Sequence, residues 1–358
     1  MSTLTIAWHG LDLNVDGYNI YRSDFPIDPN NLPSPITSVG PNIGSYDDSS
    51  VVENNAYYYR VGVIKGGSET IGEEKTLFAG AFTLVSSDRR GNVKKIDASG
   101  NLIWTFSNHS GSVYDVAVDT DGNAYSVGYD KTVRKIDSNG NEIWSFTGHT
   151  GEVFAVAVDS NGNVYTGSGY GDNSLRKIDS NGNQLWSINN TASTIAVDSN
   201  INIYTGSGSN VNKFDSDGNK VWTFNGHSDD VNGVAVDSNG YVYSGGNDQT
   251  LKKIDPSGNE VWTFTGHRYN ILDVAVDINA NSYGAEADNS VRKIDPDGNQ
   301  VWRFTGHSEN ANAVAVDFNG NVYSGSRDKT VRKINSNGNE VWSFTGHTNY
   351  IRGIAVIG

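Results

Sequence analysis

The chain has 358 residues and a formal net charge of −15, with 26 Lys and Arg against 41 Asp and Glu, an acidic balance that argues against nucleic-acid binding, which needs a cationic surface. Hydrophobic residues make up 36% and aromatics 11%, alongside 41 glycines and no cysteine, which excludes a disordered chain and a disulfide scaffold and points to many short strands joined by tight turns. No apolar run approaches the roughly 18 residues that cross a bilayer, and the opening Met1-Ser-Thr-Leu-Thr-Ile-Ala-Trp8 lacks a basic and then apolar leader, so a product of the cytoplasm without membrane insertion is expected.

The length suits two domains, here 1–78 and 79–358. The first holds five of the seven prolines, all between Pro26 and Pro41. Leu4-Thr-Ile-Ala-Trp8, Val15-Asp-Gly-Tyr-Asn-Ile-Tyr-Arg22 and Tyr57-Tyr-Tyr-Arg-Val-Gly-Val63 alternate with the period of strands, predicting a small β-sandwich. It resembles a fibronectin type III domain, with Trp8 at the family's core tryptophan and Tyr59-x-Val61-x-Val63 similar to its tyrosine-corner strand. Such modules space, dock or bind.

From about residue 81 the chain repeats itself. Trp104, Trp144, Trp186, Trp222, Trp262, Trp302 and Trp342 end copies of one phrase, spaced by 40, 42, 36, 40, 40 and 40 residues. A second phrase, exemplified by Val234-Ala-Val-Asp-Ser-Asn-Gly-Tyr-Val-Tyr243, alternates with it and places Asp119, Asp159, Asp198, Asp237, Asp277 or Asp317 at a turn. In these turns the aspartate caps and the glycine accepts positive φ. Four strands in a period near 40 predict a β-propeller, whose stacked blades bury faces that one blade cannot. Residues 82–104 match only the last three strands of a unit and Ile351-Arg-Gly-Ile-Ala-Val-Ile-Gly358 only the first, so an all-β fold is expected: a small sandwich, then seven blades, the seventh split between the ends to close the ring.

The run from Gly306-His307 to Ser326-Arg-Asp-Lys-Thr330 and Val331-Arg-Lys-Ile334 resembles a WD repeat. Two features depart from that family: Ile-Asp stands where Trp-Asp is usual, and the Gly-Asn-x-Val-Trp fourth strand is closer to quinoprotein-like propellers. The resemblance implies a buried His-to-Asp hydrogen bond in each blade, hence the pairs His109–Asp130, His149–Asp172, His227–Asp248, His267–Asp288 and His307–Asp328, read as structural rather than catalytic or metal-binding. The repeat after Trp186 lacks both members, as a pair predicts. His347 has Arg90 in the aspartate slot, leaving Asp88 as its candidate partner. The Arg-Lys and Lys-Lys doublets of the third strands are read as covering stems and ion pairs in preference to an anion-binding band. The turns Asp119-Thr-Asp-Gly and Asp215-Ser-Asp-Gly are read as turn chemistry in preference to calcium sites.

In the resembled blades the first strand enters at the face of the Gly-His loops, which places the sandwich on the opposite face and leaves the Gly-His face open. There the repeats differ most, and Tyr114, Tyr129, Glu152, Phe154, Tyr170, Arg268, Tyr269, Arg327, Tyr350 and Arg352 are the candidate partner-binding residues, since Tyr and Arg are frequent anchors. No catalytic residue, metal ligand or cofactor is assigned. The expectation is a non-catalytic binding protein, resembling bacteriophage virion accessory proteins: a capsid decoration, tail or fibre component that docks to virion proteins by its N-terminal domain and displays the propeller to a cell-surface glycan or protein, as several copies on a particle. The alternatives are a cytoplasmic bacterial scaffold for protein partners and, behind it, a quinoprotein-like enzyme.

Overall fold

The computed structural model describes residues 4–7, 15–23, 27–41, 45–50, 55–72, 75–79, 83–169 and 171–357. Trp8 and Tyr170 lie outside them. The chain divides into two compact units near Phe82 and Thr83, each built from strands alone among the described residues.

Among the described residues the first unit has seven strands: β1 (Leu4–Ala7), β2 (Gly17–Ser23), β3 (Thr37–Val39), β4 (Ser45–Asp48), β5 (Asn55–Lys65), β6 (Ser68–Ile71) and β7 (Lys75–Ala79). One sheet pairs β1 with β4; the other runs β3-β2-β5-β6, with β7 added to the start of β5. Ile6 and Tyr46 from the first sheet pack on Ile20, Tyr57, Tyr59 and Val61 from the second, the two-sheet core that period-two alternation requires. Asp48 is fully buried, accepting hydrogen bonds from Tyr59 Oη at 2.9 Å and Arg22 Nη1 at 2.8 Å, so the edge of the core is tied by a satisfied charge.

In the second unit the described residues form seven four-stranded antiparallel sheets. Six are continuous in sequence and are numbered as blades 1 to 6: 113–146, 153–189, 194–224, 231–264, 271–304 and 311–344. The seventh joins Ile351–Ile357 to Thr83–Asp88, Val93–Ile96 and Leu102–Phe106. The first strands contact one another in an unbroken circle, with Ile351–Ile357 between Ala311–Val316 and Val113–Val118. This unit is a closed β-propeller whose last blade is shared by the two ends of the repeat region.

Blade 4 shows why the sequence folds this way. Its strands are Val231–Val236, Val242–Gly246, Leu251–Ile254 and Glu260–Phe264. Asp237 Oδ1 accepts the amides of Asn239 and Tyr241, both at 2.9 Å, and Gly240 adopts a φ of +80°, turning the first strand into the second. The second strand is buried along its whole length, and its Tyr243 hydroxyl donates to Asp237 Oδ2 at 3.3 Å. Lys253 lies over the Tyr243 ring, 5.4 Å from its centroid. Lys135, Lys177, Lys213, Lys293 and Lys333 repeat that contact, and the ammonium groups of Lys177 and Lys253 also donate to Ser216 O and Pro296 O of the next blade.

The fourth-strand tryptophans join blade to blade. Trp222 Nε1 donates to Pro256 O at 3.0 Å, and its indole lies so close to Gly258 that a Cβ there would stand 3.1 Å from the ring. The circle closes through Trp342 to Ala98 O at 2.9 Å and Trp104 to Ser138 O at 3.0 Å.

Candidate functional site

Five of the histidines form what looks like a catalytic array. His109 Nε2 lies 2.8 Å from Ser126 Oγ and its Nδ1 3.0 Å from Asp130. His149 meets Thr166 and Asp172, His227 meets Ser244 and Asp248, and His307 meets Ser324 and Asp328 in the same way. In the split blade His347 sits between Ser86 Oγ at 2.7 Å and Asp88 Oδ2 at 3.0 Å. The sequence reading found the His–Asp pairs and missed the hydroxyl; the recurrent Ser or Thr in the second strand was its available signal. These are hydroxyl–His–carboxylate chains, yet each hydroxyl-bearing residue is 0% exposed, so no substrate reaches the nucleophile position. Each chain links the Gly-His loop to the second strand of the blade and, outside the split blade, to the turn that follows it.

Their electrostatics follow from this burial. Desolvation would raise the Asp130 carboxyl, but the hydrogen bond and charge of His109, with Thr132 and the Ser110 amide, hold it well below the usual range. Burial pushes the His149, His227 and His347 imidazoles down despite their carboxylates.

One expected pair is corrected. His267 does not meet Asp288: its Nδ1 lies 3.0 Å from Glu286 Oε1, and Glu286 also holds Arg292 Nε at 2.7 Å. Asp288 turns away to Arg303 Nη2 at 2.7 Å and to Ser290. Glu286 and Asp88 occupy the same place, the last residue of the second strand opposite Ile271 and Ile351. In both blades the acid has moved two residues back, which alignment of the turns alone does not reveal.

The accessible chemistry lies at the inner ends of the blades. A depression of about 360 Å³ on the Gly-His face is lined by Tyr114, Phe154, Leu272, Arg327, Arg352 and the polar groups of Ser193, Asn232 and Asn312. Four of the candidate residues, Tyr114, Phe154, Arg327 and Arg352, thus meet in one place. The Tyr114 and Phe154 rings stack at 5.3 Å, Arg352 lies over Tyr114 at 5.5 Å, and Tyr114 Oη donates to Glu152 Oε2 at 2.8 Å. Tyr129 packs beside Gly111 and is 55% exposed, Tyr269 is 54% exposed and Arg268 is exposed; Tyr350 gives its carbonyl to the Arg89 amide at 3.1 Å. None of these four lines the depression.

The floor holds two residues that the sequence reading passed over, Asp115 and Asp273. Each sits at an irregularity in its first strand and accepts two amides: Val116 and, in the next blade, Val156 for Asp115; Val274 and, in the next blade, Val314 for Asp273. Desolvation pushes Asp115 up to about 6, and desolvation together with the charge of Asp115 pushes Asp273 up to about 7. Seen from the face, the depression therefore offers cations and aromatic rings at its rim above two reluctant acids. That combination suits binding through charge and stacking.

The family profile described as outer membrane protein assembly factor BamB, a PQQ-type propeller, matches residues 89–206 and 287–349. The WD domain, G-beta repeat profile matches 218–255. Among solved structures the chain is similar to the WD40 β-propeller domain of Doa1, with 21% identity, a TM-score of 0.62, and 70% of this chain and 88% of that one covered. It is similar also to the computationally designed protein Ika8, with 22% identity, a TM-score of 0.60, and 76% and 86% covered. At such identities these two show the fold alone. No curated protein matches the chain. With just over half of its residues inside the first profile, the chain belongs to the PQQ-type propeller family described as outer membrane protein assembly factor BamB, and the stretch from the last strand of blade 3 through the third strand of blade 4 also fits the WD repeat.

Proposed function

We propose that the chain is a non-catalytic binding protein whose propeller takes a protein partner on the face of the Gly-His loops. The observation that carries this reading is the depression there, where Tyr114, Phe154, Arg327 and Arg352 present aromatic and cationic groups while the repeated hydroxyl–His–carboxylate chains are buried. Rigid aromatics and arginines at the centre of a surface are the usual anchors of a protein interface. The family's description is that of an assembly factor, which agrees with a role in binding.

In its finer form the proposal is a bacteriophage virion component. The first unit, resembling a fibronectin type III module, docks to particle proteins, and the propeller engages a cell-surface protein or glycan. Two units with separate cores support a division between docking and display; the assignment to a particle is by analogy of domain make-up. Mass spectrometry and cryo-electron microscopy of particles purified from the source test it. The chain should be found in stoichiometric amount and held through residues 1–82. Its absence from particles, with recovery in cytoplasmic complexes, replaces the virion with a scaffold and leaves the binding face in place.

A further inference from the structure

Three arginines gather on one sector of that face. Arg327 stands at the turn after the second strand of blade 6, and Arg89 at the same turn of the split blade. Arg352 lies on the first strand of the split blade. All three are exposed. Arg89 was not among the candidate residues, because attention to Arg90 in the aspartate slot hid its alignment with Arg327 and Tyr129.

Among the described residues none of the three has a carboxylate within ion-pairing distance, while Arg134, Arg176, Arg292 and Arg332 of the third strands all do. Arg327 Nε has a long contact of 3.3 Å with Asn312 Oδ1, and Arg352 has the Tyr114 ring. A chain with 41 acidic residues has placed three unneutralised guanidiniums in one sector. Arg327 and Arg352 line the same depression, and the Arg89 amide bonds the carbonyl of Tyr350, two residues before Arg352, at 3.1 Å; desolvation and the charges of Arg89 and Arg327 accordingly push Arg352 below its usual value. Mutual repulsion of this kind is relieved by an anion, and guanidinium forks suit carboxylates. The floor limits what the anion can be. Above about pH 7, where both are charged, Asp115 and Asp273 repel a compact multivalent anion that reaches the centre, whereas an extended chain carrying single negative charges keeps to the rim.

We propose that Arg89, Arg327 and Arg352 form a binding site for an acidic segment of a partner protein, its carboxylates on the guanidiniums and a neighbouring side chain against the Tyr114–Phe154 stack. This rests on the reading of the same face as the docking face.

Fluorescence anisotropy of the full chain with a labelled hexaglutamate peptide tests it, with hexaglutamine as the uncharged control. Hexaglutamate should bind at least tenfold more tightly than hexaglutamine. Arg352→Gln should weaken it several-fold and the triple Arg-to-Gln variant by at least a hundredfold, with a shallower salt dependence. Lys220→Gln, an equal charge change on the fourth strand of blade 3, should leave it unaltered. Equal binding of the two peptides, or equal loss in Lys220→Gln and Arg352→Gln, overturns the site. Inorganic phosphate that displaces the label at lower concentration than free hexaglutamate moves the ligand to a phosphate and overturns the acidic segment. A natural partner that binds the triple variant normally but is lost with Phe154→Ala overturns the arginine site and keeps the docking face; one indifferent to both removes the docking face itself.

Discussion

Blade 5 shows how one missing atom leaves a buried histidine unsatisfied. In the other five histidine-bearing blades a Ser or Thr hydroxyl meets Nε2, but blade 5 has Gly284 there, and neither His267 nitrogen makes a hydrogen bond of good geometry. Unpaired buried polar atoms cost about 1–3 kcal/mol, and a glycine inside a strand adds about 0.5–1 kcal/mol. A Cβ at Gly284 would meet only His267 Cε1 at 3.5 Å and Ile271 Cγ2 at 3.6 Å, ordinary contact distances. Gly284→Ser is therefore expected to stabilise the protein by about 1 kcal/mol, read as a higher urea midpoint at unchanged slope; a lower midpoint would show that blade 5 is not waiting for a hydroxyl. The four regular His–Asp pairs were legible because both members keep their places in the repeat. Those of His267 and His347 were not, since the second-strand position of Glu286 and Asp88 is held elsewhere by serine or glycine, and nothing in a one-dimensional alignment says that its side chain reaches the histidine.

Among elements, the first strands are held to each other by side chains as well as by packing. Asp115 ties blade 1 to blade 2, Thr194 Oγ1 accepts the Val234 amide at 3.3 Å between blades 3 and 4, and Asp273 ties blade 5 to blade 6. The partner strand must come close: a Cβ on Gly233 would stand 2.5 Å from the Val274 amide and one on Gly353 2.9 Å from Asp115 Cα. The two aspartate braces were invisible in the sequence because each depends on a bulge, between Val113 and Asp115 and between Ile271 and Asp273, that turns the carboxyl toward the next blade. Burial raises the Asp273 pKa from 3.8 to about 7, so the folded state holds this proton more tightly than the unfolded chain. Its contribution to stability is full below about pH 4 and is lost as the pH rises through about 7. Asp273→Asn keeps the shape and one acceptor without the charge. Between pH 5 and pH 8 the variant should gain on the parent by about 1–3 kcal/mol, after a discount for solvent in the depression. Urea melts of both proteins at the two pH values measure the difference; parallel curves would mean that Asp273 titrates normally.

For the whole molecule the decisive element is the last strand. The phase of the repeat announced it, because the segment Ile351 to Gly358 after the final Gly-His carries the first-strand pattern alone, and the structure seats Ile351–Ile357 against Thr83–Asp88. Ile351 and Ile354 are 0% and 7% exposed, and His347 depends on Ser86 and Asp88 across the same junction. Removing 351–358 takes away two buried isoleucines at about 1.5–3 kcal/mol each. It also opens the pairing edge of Thr83–Asp88 and strips the flanks of the first strands on either side. The truncated chain is expected to lose the single cooperative thermal transition of the propeller and to elute as oligomers joined through the exposed strand. Adding the peptide of residues 351–358 should restore part of the transition, because the register of six paired residues and the slot between neighbouring blades are set by the rest of the ring. A truncated monomer that melts with the full chain would mean that the tryptophan contacts between blades close the ring without the last strand.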